Sequence, residues 1–330
     1  MIVLKSALLP KCEPGLCFFL TFKELIQQCC HLHLDAHEVF FYSKSLQFLY
    51  SCEPVQDIQS KYTFYNYKKA VHELSVELGF QYSLLEGQPD KPPSDELLLQ
   101  ALSRRQPVLL TINASVLPHN RERKTLLKDD FHCIRPYAYQ NQRLFYRDDY
   151  VPNLTSGYSV VDESEIYAKL MPYFLNYIVL THQHKGAYAT PLKESIMQCL
   201  TSFMNSSTTT YNFSGIDAIR GLASDIPLVL LEDSNLREKN LFGLLYLIKY
   251  QLYPSYYYIV ESLISNIDIN IARSWPILHT NQKWEELFTQ LDILMFMQTQ
   301  PQVNRVNSLL LEISDCVEVI VNRYMQALLG

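Results

Sequence analysis

A chain of 330 residues exceeds one ordinary hydrophobic core, which points to two domains of typical size. Its composition, 48% hydrophobic and 19% charged, is that of an ordered globular protein and argues against a largely disordered one. A formal charge of −6 argues against a general nucleic-acid binder, which needs a basic stripe for phosphate contacts.

Residues 2–9 read as a short strand. The same apolar start is broken by Lys5, Pro10 and Lys11 and so lacks a continuous signal-peptide core. No apolar run approaches the roughly 18 residues of a spanning helix, so no membrane partner is expected. The eight cysteines, Cys12, Cys17, Cys29, Cys30, Cys52, Cys133, Cys199 and Cys316, form no C-x-x-C pair and no zinc-type spacing. Reduced thiols in a cytoplasmic protein without a metal are the expectation. Pro14 and Gly15 close a turn over residues 11–15. From Leu16 to about Cys30, Phe18, Phe22, Leu25, Ile26 and Cys29 recur at spacings of three and four, one face of a helix with Cys17 in its first turn. Further helices are predicted over Asp35–Phe48, over Tyr65–Leu78 with Gly79 as its cap, and over Asp95–Arg105.

The texture then changes. Pro107–Ile112 is aliphatic and β-branched, which fits a buried strand. His132–Tyr139 and Arg143–Arg147 flank the polar Gln140-Asn141-Gln142 and read as a hairpin. Helices followed by an antiparallel sheet predict an α+β domain. Strand signals stop near Tyr177, and Thr181–Thr190 reads as a linker. The remainder reads as helical: Pro191–Asn205, Gly215–Asp225, Leu236–Tyr253, Tyr256–Ile269, Lys283–Thr299 and Val303–Leu329. The expected organisation is an α+β domain at 1–180 and an all-helical domain at 181–330.

A thiol nucleophile needs a lowered pKa, a base in reach, and a group that holds the base in the right tautomer. Cys17 at a helix N-terminus has the first in part, but the dipole contributes only about 0.3–2 kcal/mol, so a histidine must supply the rest. His132 opens the first strand of the hairpin and Asp148 ends the second. If the turn centres on Asn141, facing residues sum to 282 and Asp148 lies opposite Ile134, on the face that carries His132. A turn shifted by one residue would bring Asp149 there instead. Cys12, in the preceding turn, is the competing nucleophile.

Cys17, then Leu34-Asp35, Glu38-Val39-Phe40 and Leu46 to Tyr50, then Val116-Leu117-Pro118, then His132, Tyr139 and Asp148, resemble the butirosin biosynthesis protein H family. Downstream, Phe213-Ser-Gly-Ile-Asp-Ala-Ile-Arg-Gly-Leu-Ala223 resembles its helical domain. The resemblance implies a papain-like cysteine-enzyme domain with a Cys17-His132-Asp148 triad, followed by an all-α domain. It implies an acyltransferase of natural-product biosynthesis, which takes an acyl group from an acyl or peptidyl carrier protein and passes it to a small-molecule amine or an internal nucleophile. No separate cofactor is implied, because phosphopantetheine arrives on the carrier-protein donor. Alternatives are a cysteine peptidase or thioester hydrolase of the same fold, or an inactive binding protein, for which Leu16 in the place of a usual histidine speaks. The basic residues Arg104, Arg105, Arg121, Arg123, Lys124 and Lys128 read as solvated, or as a dock for an acidic carrier protein. His31, His33 and His37 read as a solvated helix boundary rather than metal ligands.

Overall fold

The computed structural model describes residues 16–46, 48–50, 62–63, 67–88, 91–119, 131–153, 157–182, 190–205, 213–229, 241, 243–245, 247–267, 273 and 276–330. The expected strand at 2–9, the turn at 11–15, Cys12, and the basic residues Arg121, Arg123, Lys124 and Lys128 lie outside the described residues. The chain divides into two compact units, one formed by Gly15–Val39 with Val71–Ala189 and the other by Phe40–Ala70 with Thr190–Gly330. Sequence patterning places one division near residue 181; in the structure the segment 40–70 groups with the C-terminal helices.

In chain order the elements up to residue 182 are α1 (Cys17–Cys30), α2 (Ala36–Tyr42), α3 (Tyr67–Leu78), β1 (Phe80–Glu86), α4 (Glu96–Ser103), β2 (Val108–Asn113), β3 (Phe131–Gln140), β4 (Arg143–Asn153), β5 (Gly157–Ile166) and β6 (Phe174–His182). The architecture is mixed α+β. Six strands form one sheet in the order β1-β6-β2-β3-β4-β5, and every neighbouring pair is antiparallel. The strands differ from the predicted pattern in three places, one of them β5, an edge strand that the sequence reading lacks. β1 lies between helices in the chain, and β6 carries strand structure past Tyr177 to His182, inside the sheet between β1 and β2.

Each face of the sheet is closed by a helix whose sequence suits it. α4 presents Leu98, Ala101 and Leu102 to a core of Leu110, Ile112, Ile134, Leu144, Tyr146 and Tyr177. On the face opposite Ile134, Arg135 of β3 reaches Glu24 of α1. α1 forms because its three-and-four spacing buries Phe18, Phe19, Phe22, Leu25 and Ile26, each worth roughly 1.5–3 kcal/mol. It ends at His31, whose left-handed φ of 56° lets its N–H donate to the carbonyl of Gln27. Its other end starts at Leu16, which gives no side-chain cap and whose carbonyl accepts from the Phe19 amide at 2.9 Å.

The second unit is built on α5 (Leu192–Met204), α6 (Gly215–Val229), α7 (Tyr253–Asn266), α8 (Ile277–Phe296) and the 30-residue α9 (Gln300–Leu329). It is not purely helical, because Leu49–Tyr50 pairs with both Tyr62–Thr63 and Phe213–Ser214 in a small antiparallel sheet. Gly215 follows this sheet with φ +56°, donates its N–H to the Phe48 carbonyl at 2.6 Å, and passes so close to Phe203 that a Cβ would fall on that residue's carbonyl. That is the physical reason for the glycine in the Phe213-Ser-Gly segment. The aromatic run at Tyr253–Tyr258 is core: Tyr253 packs on Trp284 and Phe288, and the Tyr256 hydroxyl donates to Asn281. No helix among the described residues is long and apolar enough to cross a membrane.

Candidate active site

Cys17 is the first residue of α1 and is partly exposed. Thr21, one turn further on the same helix face, donates to the carbonyl of Cys133 at 3.5 Å, which seats this end of α1 over β3. His132 is the second residue of β3, paired with Ile112 of β2. The two elements thus converge on the sulfur from different parts of the chain.

Asp148 reaches His132 by a route the sequence foreshadowed only in part. The hairpin turns on Asn141 and Gln142, both left-handed with φ of 50° and 62°, a two-residue turn. Next to it Gln140 pairs with Arg143 and Tyr139 with Leu144, a register that continued unbroken would set Asp149 opposite Ile134. A bulge at Tyr137 absorbs one residue, after which Pro136 pairs with Tyr146 and Arg135 with Arg147. Extending that register sets Asp148 opposite Ile134, and alternation puts it on the His132 face. His132 Nε2 lies 2.7 Å from Asp148 Oδ2. Asp149 points to the other face, where Arg135 donates to its two oxygens at 3.1 and 3.0 Å.

The electrostatics follow from these contacts. The Cys133 thiol, hydrogen-bonded to the Cys17 sulfur, does most to pull Cys17 well below the ordinary thiol range; burial opposes it, and the hydrogen bond and charge of His132 and the Cys133 amide add to it. Burial works against a charged His132, yet the charge and hydrogen bond of Asp148, then Cys17, raise its pKa well above 6.5. Asp148 is fully buried, which by itself disfavours ionisation, but the His132 charge and hydrogen bonds from His119, His132 and the Tyr150 amide bring its pKa down to about 2. These shifts act in the direction of a thiolate beside an imidazolium, with a carboxylate behind it. Burial pushes Asp149 the other way, upward, against the hydrogen bonds from Arg135.

Two neighbours of this constellation were not foreseen. His119 Nε2 also lies 2.7 Å from Asp148 Oδ2, with its side chain 10% exposed. It follows the 3-10 turn Ala114–Val116, which Asn113 fixes by accepting from the Ser115 amide at 2.9 Å and its hydroxyl at 2.6 Å. Cys133 keeps its own proton, its pKa driven up first by its hydrogen bond to Cys17. The histidines near α2 do not assemble: His33 is exposed, His37 is buried, and no group of three metal-ligating side chains occurs among the described residues.

Chemically, a thiol, an imidazole and a carboxylate so placed are the groups that a thiol nucleophile needs. No protein-family model matches the chain, and comparison with curated proteins returns no match.

Proposed function

We propose that the chain is a papain-like thiol acyltransferase that carries an acyl group on Cys17, as its resemblance to the butirosin biosynthesis protein H family implies. The observation that carries this reading is the convergence of Cys17, His132 and Asp148, with His132 Nε2 committed to Asp148 at 2.7 Å and its Nδ1 left to serve the sulfur. A thiolate held by a neighbouring imidazolium suits a thioester donor, because thiol-to-thiol exchange needs little driving force beyond a ready nucleophile.

The Cys17 thiolate attacks the carbonyl carbon of a carrier-bound thioester, and the oxygen becomes an oxyanion near the Cys17 amide. Collapse forms the Cys17 acyl thioester and breaks the bond to the carrier sulfur, which takes the proton of His132. His132, now neutral, accepts a proton from an incoming amine as its nitrogen attacks the acyl carbon. Cys17 leaves as thiolate, an amide is released, and the thiolate–imidazolium pair is restored. Asp148 stays ionised throughout and holds Nε2. The donor is proposed to be an acyl or peptidyl carrier protein, whose acidic surface suits a local basic patch; Arg104 and Arg105 are exposed.

Partition of the acyl-enzyme tests the reaction class. With purified acyl-enzyme, amines should yield amide faster than water yields acid. Acid as the sole product across a panel of amines would make the protein a thioester hydrolase instead.

A further inference from the structure

Asp148 Oδ2 is shared. His132 and His119 each place Nε2 at 2.7 Å from this one oxygen, while Oδ1 accepts the Tyr150 amide at 3.0 Å. A carboxylate oxygen has two lone pairs, so both rings can donate to it if each carries a proton on Nε2. For His132 that tautomer leaves Nδ1 for Cys17. For His119 it leaves Nδ1 buried, with no hydrogen-bond partner among the described residues. The second ring is therefore placed as a donor to the same oxygen.

The consequence concerns the proton on His132. Asp148 raises the proton affinity of His132 by its charge and its hydrogen bond. A carboxylate that already accepts a strong donor on the same oxygen pulls less hard on the other. The groups facing Asp148 are His132 and Cys133 from β3, His119 from the segment after β2 and the Tyr150 amide of β4, with Cys17 of α1 beyond His132. Arg135, Asp149, Arg147 and Glu24 form a separate ion-pair group, three of whose members lie on the opposite face of β3 and β4. Among the described residues, His119 is thus the side chain that competes directly with His132 for Oδ2.

We propose that His119 is a positioning residue that acts through Asp148: by occupying half of Oδ2 it restrains the proton affinity of His132, so that the base can release its proton to the leaving thiol and keep Asp148 ionised when it does. This rests on the acyltransferase reading, since it assigns a tuning role to a partner of the same base.

The test is the pH profile of Cys17 alkylation by iodoacetate, whose negative charge makes its reaction sensitive to the His132 imidazolium and gives a profile with an alkaline limb. In His119→Leu that limb should move to higher pH by about one unit, a tenfold change in the protonation equilibrium. In His119→Gln, whose amide N–H can replace Nε2–H, the limb should return toward the wild-type position. A limb that moves to lower pH in His119→Leu would mean that His119 merely props Asp148, and an unchanged limb would mean that it has no influence; either overturns the proposal. If His119→Leu does not fold, a Gln variant with the wild-type limb and an Asn variant with a raised limb support the proposal, and identical limbs in both sink it. The wild-type profile separates this from the parent reading: if wild-type Cys17 shows no alkylation below the ordinary thiol range, the thiol enzyme itself is wrong.

Discussion

Asp148→Asn separates the two tasks of the buried carboxylate. The acid accepts from His119, His132 and the Tyr150 amide. An amide has one accepting oxygen, so whichever way it turns, its NH2 group meets a donor, and a buried unsatisfied donor costs about 1–3 kcal/mol. The charge matters as well. A carboxyl lowered from 3.8 to about 2 contributes stability that is present above 3.8 and lost as pH falls through the folded value. At about 1.4 kcal/mol per pH unit that amounts to about 2 kcal/mol near neutrality. The Asn variant should therefore be less stable than wild type by about 2–4 kcal/mol at neutral pH, with the gap narrowing toward acid. Asp149, whose pKa is raised, contributes with the opposite sign, but it is common to both proteins and cancels in the difference. For His132 the sign reverses: its raised pKa gives stability that is present below 6.5 and lost as pH rises through the folded value, and without Asp148 that value falls. The alkaline limb of iodoacetate alkylation should drop by about 1–2 pH units. Hydrogen exchange of the Arg143–Asn153 amides measures the stability and peptide mapping of Cys17 measures the limb. An Asn variant with wild-type exchange and a wild-type limb would refute the assigned role of Asp148.

Three further outcomes follow from the same contacts. Arg135→Leu leaves the buried Asp149 carboxylate to the half-exposed Arg147 at 3.4 Å and should cost roughly 2–3 kcal/mol in denaturant unfolding, yet leave the alkylation limbs of Cys17 in place, because this pair faces away from His132. In wild type, iodoacetamide at mildly acidic pH should label Cys17 first and Cys30 next, because the Cys29 thiol lowers Cys30, while Cys133 and Cys29 label last; Cys133 ahead of Cys17 would reverse the assignment of nucleophile. Gly215→Ala sets a Cβ on the Phe203 carbonyl at a left-handed φ and should destabilise the helical unit by about 4 kcal/mol or more, read by the fluorescence of the buried Trp284.

The parts of the fold that were legible in the sequence are those whose environment is uniform. α1 keeps apolar residues at spacings of three and four along its buried side, and the interior strand β2 is rich in aliphatic and β-branched residues, so periodicity and composition identified both. The strands that escaped, β1 and β5, are the two edges of the sheet. β5 carries Asp162, Glu163 and Glu165, and edge strands with charged, solvent-facing residues do not read as β-rich. β6 runs on past Tyr177 through the buried Ile178-Val179-Leu180 and closes on Thr181 and His182 beside β1, where the sequence pattern reads as a linker. At the site, helix start and strand alternation pointed to Cys17, His132 and Asp148. The choice between Asp148 and Asp149 depended on the bulge at Tyr137, which no local propensity announces. His119 left no periodic signal at all. It hangs from a short turn after β2, and only the pairing of Ile112 with His132 shows that this turn must end beside the base.

The central claim is that Cys17 carries the acyl group. Wild-type protein incubated with a panel of acyl-carrier thioesters and no acceptor should gain one acyl mass by intact-protein mass spectrometry, and peptide mapping should locate it on Cys17, with no gain in Cys17→Ala. A protein that gains no mass from any thioester, or that gains it on another thiol while Cys17 stays free, would contradict the account.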